Sequence, residues 1–488
     1  MGSQQGVMLL DQDWNWKYFY GPRCRSRLPG KGFDAGMNVS SLALGITASG
    51  LDVALIATDG GLSFIYQVSW SFQQKAAHME TIRELRHDRH GLCTGVRLET
   101  FGSVASWVEM HTANDGLWTS LYVASQAFRY GATKDPQAKK NAWAAFEGMQ
   151  LLINTTGQLG YPARSVRRAT PCPSGWYASP VNAGWCYMSD TSSDEIVGHL
   201  SIYPIVFDLV AELPWEKQAV ASTIRNIVDY ILANNYTLID PITGKETSWG
   251  QWQPARLNND PDWYDDRGPN SNQIVTYLTH AYRITSDPKY LKAFNDLVGN
   301  HGYDVNLVNL KITQPSDINY SDDELTYLPY LSFLMAEKMA GTNQSNPLFE
   351  QAKQSVWLSI TRTQWYVAKG RSSLWNAIFT AFAQKFSPNN INQQFVEDAK
   401  WCLKTWPISL VHWPVNNANR LDILADPHRT RNGLEDLLTE TLLPFDENPL
   451  LMWNANPFRT QGGSGHQEMD PGPWLFPYWV GVYFGLWY

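Results

Sequence analysis

The sequence has little charge and lacks the long apolar runs of a membrane protein. Charged side chains make up 17% of the 488 residues, and the formal net charge is -8. Binding to a nucleic-acid backbone requires clustered lysine and arginine, so this acidic balance argues against a nucleic-acid partner. No window approaches the roughly 20 continuous apolar residues that a membrane span needs. The sequence therefore predicts neither a nucleic-acid partner nor a membrane span.

Several short motifs that mark a metal or a cofactor are also missing. The sequence contains no C-x-x-C pair, no G-x-x-x-x-G-K-[ST] phosphate loop and no EF-hand spacing. The pairs His87-x-x-His90 and Glu195-x-x-x-His199 have helix-face spacing, but neither supplies the three or four ligands of a zinc site. We predict no cofactor and no catalytic metal, with calcium at the acidic segment 260–266 as a candidate structural ion.

Sequon usage favours a secreted protein. Residues 1–6 lack the apolar core of a signal peptide, so the start of the chain does not itself predict secretion. Cys172 and Cys186 flank a loop with proline, glycine and tryptophan that suits one disulfide, and the odd total of 5 cysteines leaves at least one thiol unpaired. N-x-S/T sequons begin at Asn38, Asn154, Asn235, Asn319 and Asn343.

Two regions of different pattern divide the chain near Ser71. Residues 1–71 contain short apolar segments separated by Gly, Pro or Asp, which is typical of strands. Residues 72–488 contain helical runs that are entered through Ser, Thr, Asn or Asp. We therefore predict a small β-rich segment at 1–71 and a helical domain at 72–488. The strand segments are Val7 to Leu10, Trp16 to Tyr20, Leu42 to Ile46, Val53 to Ala57 and Leu62 to Tyr66.

Two kinds of helix alternate in the second region. Six helix starts lead into aromatic-rich runs whose apolar residues lie all round the helix, as expected of buried inner helices. The starts are 114–118, 194–195, 270–272, 322–324, 372–375 and 472–474. Amphipathic outer helices are predicted between them, at about 75–90, 137–153, 216–234, 289–300, 347–363 and 392–405.

This alternation predicts an (α/α)6 toroid, with a solenoid as the competing layout. The inner helices of a toroid run parallel, so their N-termini and the loops before them converge on one cup. Long connections at 155–190, 236–270, 302–320 and 406–470 exceed ordinary loop lengths and support such a cup.

Carboxylates are concentrated at three of the six inner-helix starts. Ser192 with Glu195, and Ser321 with Glu324, match capping boxes, in which one acid per helix is sufficient. The additional acids are not explained by capping, and paired carboxylates are what glycosidic chemistry requires. These additional acids are Asp194, Asp322 and Asp323; Asp115 occupies an N-cap position that Asn114 could fill equally well, so it stays a candidate for catalysis or sugar binding.

Both regions resemble known proteins. The first seventy residues, with Trp16 to Phe19 and Ala57 to Ser63, resemble a blade of the two-component-regulator type of β-propeller. The rest is similar to a family of helical-toroid proteins often found beside such propellers. More widely, (α/α)6 toroids include inverting glycosidases, polysaccharide lyases and sugar epimerases, so the resemblance implies a carbohydrate substrate and no single reaction. The second resemblance is carried by Arg86 to Gly91, Asn114 to Trp118, Thr191 to His199, Asn319 to Leu325 and Trp453 to Pro457.

The leading hypothesis is an inverting glycoside hydrolase. One carboxylic acid protonates the leaving oxygen, and a carboxylate about 6.5 to 9.5 Å away activates water. We pair Glu195 as the acid with Asp322 or Asp115 as the base, and His199 lies one turn after Glu195 on the same face. Asp323 and Glu324 stay open for the same roles, because crowded like charges raise at least one pKa.

Two alternatives stay open. A polysaccharide lyase would use His199 or Tyr203 for proton transfer and the basic run Arg86 to His90 to neutralise a uronate. The ordinary role of that run is to complement a helix C-terminus. A noncatalytic glycan-binding toroid would need aromatic side chains but no matched acid pair. Oligomeric state is not predicted by the sequence.

Substrate binding is assigned to polar and aromatic residues near the cup. The chain has 22 Trp, whose flat amphipathic rings suit both packing and the CH faces of sugars. A polar, Gly-rich segment at 461–468 precedes the last inner helix and is a candidate for closing over a ligand. The predicted binding residues are Trp118, Trp375, Trp453, Asn454, Trp474, His466, Arg86, His87 and His90.

Overall fold

The protein is mainly helical, as predicted, with small antiparallel sheets. The structure is a computed structural model, and it describes residues 2–3, 6–10, 16–19, 39–46, 52–58, 61–66, 70–308, 310, 320–338, 346–417, 423, 441–449 and 452–487. Among the helices of these residues, none has the combination of length and apolar composition that a bilayer crossing requires.

The described residues of the N-terminal region form two three-stranded antiparallel sheets, each with its strands in chain order. Each predicted strand segment falls on one of the observed strands, so these strand predictions are confirmed. The division of the chain into domains at residue 71 stays a prediction. The strands are β1 (Gly2–Ser3), β2 (Gly6–Leu10), β3 (Trp16–Phe19), β4 (Val39–Ile46), β5 (Asp52–Thr58) and β6 (Gly61–Tyr66).

Six long helices correspond to the predicted inner helices, and their described side chains are mostly buried. The observed starts lie within two residues of the predicted ones, except that the third inner helix begins at Arg267, three residues before the predicted start at Asn270. These helices are α2 (Asp115–Thr133), α4 (Ser193–Leu209), α7 (Arg267–Thr285), α10 (Tyr320–Lys338), α12 (Ser373–Phe386) and α14 (Gly472–Tyr483).

The predicted outer helices are also present. Asp135 and Asp287 cap α3 and α8 by accepting main-chain N–H groups, and proline follows each in the first turn, where its missing N–H costs nothing. The outer helices are α1 (Phe72–Ile82), α3 (Pro136–Thr156), α5 (Pro214–Ala233), α8 (Pro288–Gly299), α11 (Pro347–Val367) and α13 (Gln393–Thr405). A π-helical turn, Arg83–His87, continues α1, and two short helices are α6 (Pro254–Asn259) and α9 (Tyr303–Asn306).

The inner helices contact one another in an unbroken series. Helix α2 packs against α4 and α14, α7 packs against α4 and α10, and α12 packs against α10 and α14. Helix α4 also contacts α10 directly. Each of α3, α5, α8, α11 and α13 packs on the inner helix that precedes it, and α1 packs on α14. The last inner helix therefore meets the first helices of this region.

Short strands lie in the connections between helices. A disulfide joins Cys172 to Cys186 within the connection from α3 to α4, so the predicted bridge is present, and Cys93 and Cys402 are free and buried. The strands are β7 (Asp88–Arg89), β8 (Leu92–Cys93), β9 (Val96–Leu98), β10 (Trp107–Glu109), β11 (Ser165–Arg168), β12 (Tyr177–Ala178), β13 (Trp185–Met188), β14 (Thr237–Ile239), β15 (Glu246–Gln251), β16 (Val415–Asn416), β17 (Gln461–Gly462) and β18 (Gln467–Glu468).

Candidate active site

Glu195, in the first turn of α4, accepts a main-chain hydrogen bond from the first turn of the neighbouring helix α2. Its carboxylate is fully buried and accepts the main-chain N–H of Gly116 at 3.0 and 3.1 Å. The predicted capping box of α4 is therefore wrong, because Glu195 is turned toward α2. Ser192 makes no cap bond to its own helix and donates instead to Asn114 Oδ1 at 3.2 Å.

The contact between α2 and α4 is close because two glycines lie in it. A Cβ at Gly116 would lie 2.0 Å from Glu195 Oε1, and a Cβ at Gly198 would lie 2.7 Å from the Cα of Leu117. Such distances are far inside ordinary carbon and oxygen contacts. Glycine at these positions lets the two helices approach until the Glu195 carboxylate reaches the end of α2.

A buried polar chain continues from Glu195 along α4. His199 Nε2 lies 3.0 Å from Glu195 Oε1, and His199 Nδ1 lies 2.5 Å from the hydroxyl of Tyr203. Gln150 of α3 donates to that hydroxyl at 3.1 Å. Burial raises the pKa of Glu195 and lowers the pKa of His199 to about 3, so the charged carboxylate–imidazolium state is disfavoured. The three candidate residues are brought together as their spacing predicts, but none is exposed to solvent.

Asp115, the first residue of α2, is fully buried beside Glu195. Its carboxylate forms an ion pair with Arg89 and accepts a hydrogen bond from Ser165. Thr112 Oγ1 also lies 3.5 Å from its second oxygen. Burial raises the pKa of Asp115, against the opposing effect of Arg89. Both oxygens are therefore occupied by the protein itself.

Asp194, one residue before Glu195, belongs to a different group of acids. It is partly exposed, and its charge raises the pKa values of groups on α7 and α10. We define the acidic cluster as the residues at the starts of α4, α7, α10 and α14 whose charges interact in this way. Its members are Asp194, Asp266, Glu324 and Asp470.

Three members of the acidic cluster have raised pKa values. Burial, followed by the charges of Asp194 and Asp470, raises the pKa of Glu324 to about 8. Burial also raises the pKa of Asp470 to about 6, and burial with the nearby charges of Asp265 and Asp194 raises the pKa of Asp266 to about 6. Burial thus favours the neutral carboxylic acid form of Glu324, which lies on a helix packed against the one that carries Asp194.

Unoccupied hydrogen-bonding atoms lie in the acidic cluster. Glu324 is 1% exposed, and neither of its carboxyl oxygens bonds to any described residue, so Glu324 does not make its part of the second predicted capping box; the side chain of Ser321 lies outside the described residues. The hydroxyl of Tyr277 on α7 is buried and has no hydrogen-bond partner among the described residues. Burial, followed by the charge of Asp194, raises its pKa. Buried polar atoms of this kind require water or a ligand as partners.

The other two predicted acids of α10 differ from Glu324 in what the structure describes of them. Asp323 is fully buried. The side chain of Asp322 lies outside the described residues. Asp266, Asp470 and Tyr277 were not selected from the sequence. Asp266 directly precedes α7 and Asp470 lies two residues before α14, whereas the selected acids lie within the first turns of their helices.

Two residues of the basic run after α1 bind a buried carboxylate of the protein itself. Arg86 donates two hydrogen bonds to Glu468, at 2.6 and 2.8 Å, and His87 Nε2 lies 3.3 Å from the same carboxylate. His90 is exposed and contacts the ring of Trp185 edge-on. The predicted substrate-binding role of Arg86 and His87 is therefore not supported, because their polar atoms already bind a buried acid.

The predicted aromatic binding residues fall into different environments. Trp474 is fully buried and donates to the carbonyl of Leu403, so it offers no face to a sugar, which corrects the prediction for this residue. Trp375 and Trp453 contact each other with ring centroids 5.7 Å apart and line a small cleft with Trp406. Trp118 is half-buried.

The remaining predicted binding residues lie in the segment before α14. Asn454 is exposed. His466 is also exposed, and its Nδ1 lies 3.0 Å from the carbonyl oxygen of Leu98. In the described residues no group of three or more His, Cys, Asp or Glu side chains is arranged to hold a metal ion. In the acidic segment considered for calcium, Asp260 pairs with Arg256 at 2.9 Å.

Comparison with known proteins gives only distant likeness. No protein-family model matches the chain, and no curated protein matches it. The solved structures that resemble it include a polysaccharide lyase, BACCELL_00875, with 11% identity, coverage of 75% of this chain and 89% of that chain, and a TM-score of 0.39. A D-mannose isomerase has 11% identity, coverage of 86% and 99%, and a TM-score of 0.41. Likeness at this level carries no argument about the reaction.

Proposed function

We propose that the protein is a carbohydrate-active enzyme that hydrolyses glycosidic bonds, with Glu324 as the general acid and Asp194 as the general base. The observation that carries this proposal is the contrast between the two carboxyl groups. Glu324 is buried, has no hydrogen-bond partner among the described residues and has its pKa raised to about 8. Asp194 is partly exposed on the adjacent helix. Environments that separate two carboxyl groups in this way are typical of acid–base pairs.

The proposed reaction follows from these two states. Glu324 donates its proton to the glycosidic oxygen as the bond from that oxygen to the anomeric carbon breaks. Asp194 accepts a proton from a water molecule whose oxygen attacks the anomeric carbon from the opposite side. Inversion at that carbon is the expected outcome. Solvent then returns the proton to Glu324 and removes the one from Asp194.

This assignment replaces the pair expected from the sequence. The oxygens of Glu195 and Asp115 are held by Gly116 and Arg89, so neither carboxyl group is available to a substrate. We also propose the (α/α)6 toroid as the architecture, supported by the unbroken series of contacts among the inner helices. Secretion is proposed on the sequons and on the disulfide, because disulfides persist in oxidising compartments.

The lyase alternative receives less support. Elimination on a uronic acid requires cationic or polar groups that neutralise the carboxylate. Arg86 and Arg89 are already paired with Glu468 and Asp115. The acidic cluster would in addition repel a uronate. A noncatalytic glycan-binding protein stays the other alternative, because Glu195 and Asp115 serve structural hydrogen bonds.

A polysaccharide panel separates these possibilities. The wild type is incubated with neutral and uronic-acid polysaccharides, and both reducing ends and ultraviolet absorbance are recorded. We expect new reducing ends without absorbance, since only elimination leaves a conjugated double bond. Glu324→Gln and Asp194→Asn should lose orders of magnitude in turnover, whereas Glu397→Gln, an exposed acid on α13, should not. Full turnover in both amide variants, or no turnover by the wild type, would contradict the proposal.

A further inference from the structure

Three aromatic side chains lie on the segments that lead to α7; two of them are exposed, and Trp263 is partly buried against the hydrophobic core. Trp249 on β15 is 54% exposed and Tyr264 is 45% exposed. The rings of Trp249 and Trp263 lie 6.2 Å apart at an interplanar angle of 59°. The guanidinium of Arg267 lies over the ring of Tyr264 at 5.0 Å. We name Trp249, Trp263 and Tyr264 the aromatic platform.

Both segments of the platform are connected to the acidic cluster. Asp190, four residues before Asp194, accepts hydrogen bonds from the main-chain N–H of Ser248 at 2.9 Å and from its hydroxyl at 3.0 Å. Asp266, which follows Tyr264 by two residues, is itself a member of the cluster. The strand that carries Trp249 and the turn that carries Tyr264 are therefore both held near the start of α4, where Asp194 lies.

The other strongly exposed tryptophans lack this connection. Trp365 on α11 is 77% exposed and Trp215 on α5 is 58% exposed, and both belong to outer helices. Trp215 follows the C-terminal end of α4, whereas Asp194 lies in the first turn of that helix. Position therefore separates the platform from aromatic rings that are exposed elsewhere on the surface.

Apart from Arg267 over the ring of Tyr264, the charged groups near the platform are acids or are paired with acids. Arg256 is already paired with Glu246 at 3.2 Å and with Asp260 at 2.9 Å. Asp262 and Asp265 are exposed. A polyanionic glycan would meet like charge here, whereas the CH faces of uncharged or amino sugars suit flat aromatic rings.

We propose that the aromatic platform binds neutral or amino-sugar units of an oligosaccharide whose cleaved bond lies at the acidic cluster. This inference rests on the proposed function and deepens it, because it assigns the substrate class. It implies a substrate of several linked sugar units rather than a monosaccharide. It also implies that uronic-acid polymers are poor ligands.

Binding to a catalytically silent protein tests the platform. In the full chain carrying Glu324→Gln, binding of β-1,4-linked hexasaccharides of glucose, xylose, N-acetylglucosamine and glucosamine, and of hexagalacturonate, is measured by calorimetry. We expect at least one neutral or amino hexasaccharide to bind, and Trp249→Ala and Trp263→Ala to weaken it by about tenfold or more. The matched control Trp365→Ala should leave affinity within about twofold. Hexagalacturonate should bind more weakly than the best neutral or amino ligand.

The outcomes distinguish failure of this inference from failure of the proposed function. Unchanged affinity in Trp249→Ala and Trp263→Ala, no binding of any hexasaccharide, or tightest binding of hexagalacturonate would overturn the platform. Platform-dependent binding without hydrolysis by the wild type would overturn the proposed function alone. Hydrolysis that is insensitive to both tryptophan substitutions would overturn the platform alone.

Discussion

Asp194 and Glu195 are consecutive residues of α4, yet their carboxyl groups belong to different parts of the molecule. Glu195 accepts the N–H of Gly116 on α2, whereas Asp194 interacts with Glu324 on α10. Successive residues of an α-helix point about 100° apart, which is enough to direct them to different neighbours. One carboxyl group thus lies in the contact of two inner helices, and the other is partly exposed at the start of α4.

Removal of the Glu195 carboxylate should destabilise the fold. Glu195→Ala leaves the buried N–H of Gly116 without an acceptor, so we expect the free energy of unfolding to fall by about 3 kcal/mol. Glu195→Gln should cost less, because the amide oxygen still accepts that N–H. Urea denaturation measures both values. Asp194→Ala is the matched control from the same turn, and a larger loss in that variant than in Glu195→Ala would contradict this role.

Glu324 should make stability depend on pH. Burial raises its pKa to about 8 from an ordinary 4.5, so the folded protein keeps a proton that the unfolded chain has lost. The contribution of this group to the free energy of unfolding therefore falls as pH rises between these two values, by about 1.4 kcal/mol for each unit of pH. Glu324→Gln removes this dependence. Its melting temperature should equal that of the wild type near pH 5 and exceed it near pH 9.

The control for this pH effect is Glu397→Gln. Glu397 is exposed on α13, and its pairing with Lys400 lowers its pKa, so it stays ionised in both the folded and the unfolded chain above about pH 5, and its replacement should leave the profile between about pH 5 and 9 unchanged. If Glu324 is the general acid, the turnover of the wild type should also decline as pH rises past about 8. An unchanged pH dependence of stability in Glu324→Gln would be evidence against a buried, neutral Glu324.

The pair of Arg86 and Glu468 should be energetically coupled. Burial alone would raise the pKa of Glu468, but hydrogen bonds from His87 and Arg86 hold that pKa below its ordinary value. Arg86→Met leaves a buried carboxylate without its main partner and should cost about 3 kcal/mol. The double variant Arg86→Met with Glu468→Met should lose less than the sum of the single losses. Additive losses in a double-mutant cycle would show that the pair is not coupled.

The disulfide should contribute through the unfolded state. Cys172 and Cys186 are separated by 14 residues, and closing a loop of about 15 residues is worth about 3 kcal/mol. The double variant Cys172→Ser with Cys186→Ser should lose about that much stability in urea denaturation. Reductant should destabilise the wild type by a similar amount and leave the variant unchanged. Equal stability of the oxidised wild type and the variant would refute this contribution.

Local signals allowed the helices to be predicted from the sequence. Asp135 before Pro136, and Asp287 before Pro288, begin helices because a side-chain acceptor and a fixed proline φ act within one turn. Apolar residues on all sides identified the inner helices in the same way. These features are read from neighbours in the chain, so no tertiary information is needed.

The partners of charged residues could not be predicted in this way. Arg86 and Glu468 are 382 residues apart, and the sequence around Arg86 matched a helix-end cation equally well. The direction of Glu195 toward Gly116 depends on the rotation of α4 against α2, which the glycines at 116 and 198 set by allowing close approach. Asp266 and Asp470 could not be selected from the sequence for the same reason, because their pKa values are raised only through burial and neighbours in the folded state.

The contacts of α14 with α1 and α2 constrain how the chain is made in the cell. Helices α1 and α2 are synthesised long before α14, so the apolar surfaces that α14 covers stay exposed during most of translation. Contacts between such distant segments form slowly, and uncovered apolar surface invites aggregation in the meantime. Completion of the helical series is therefore a late step of folding, and the growing chain is expected to need chaperone protection until residues 472–483 emerge.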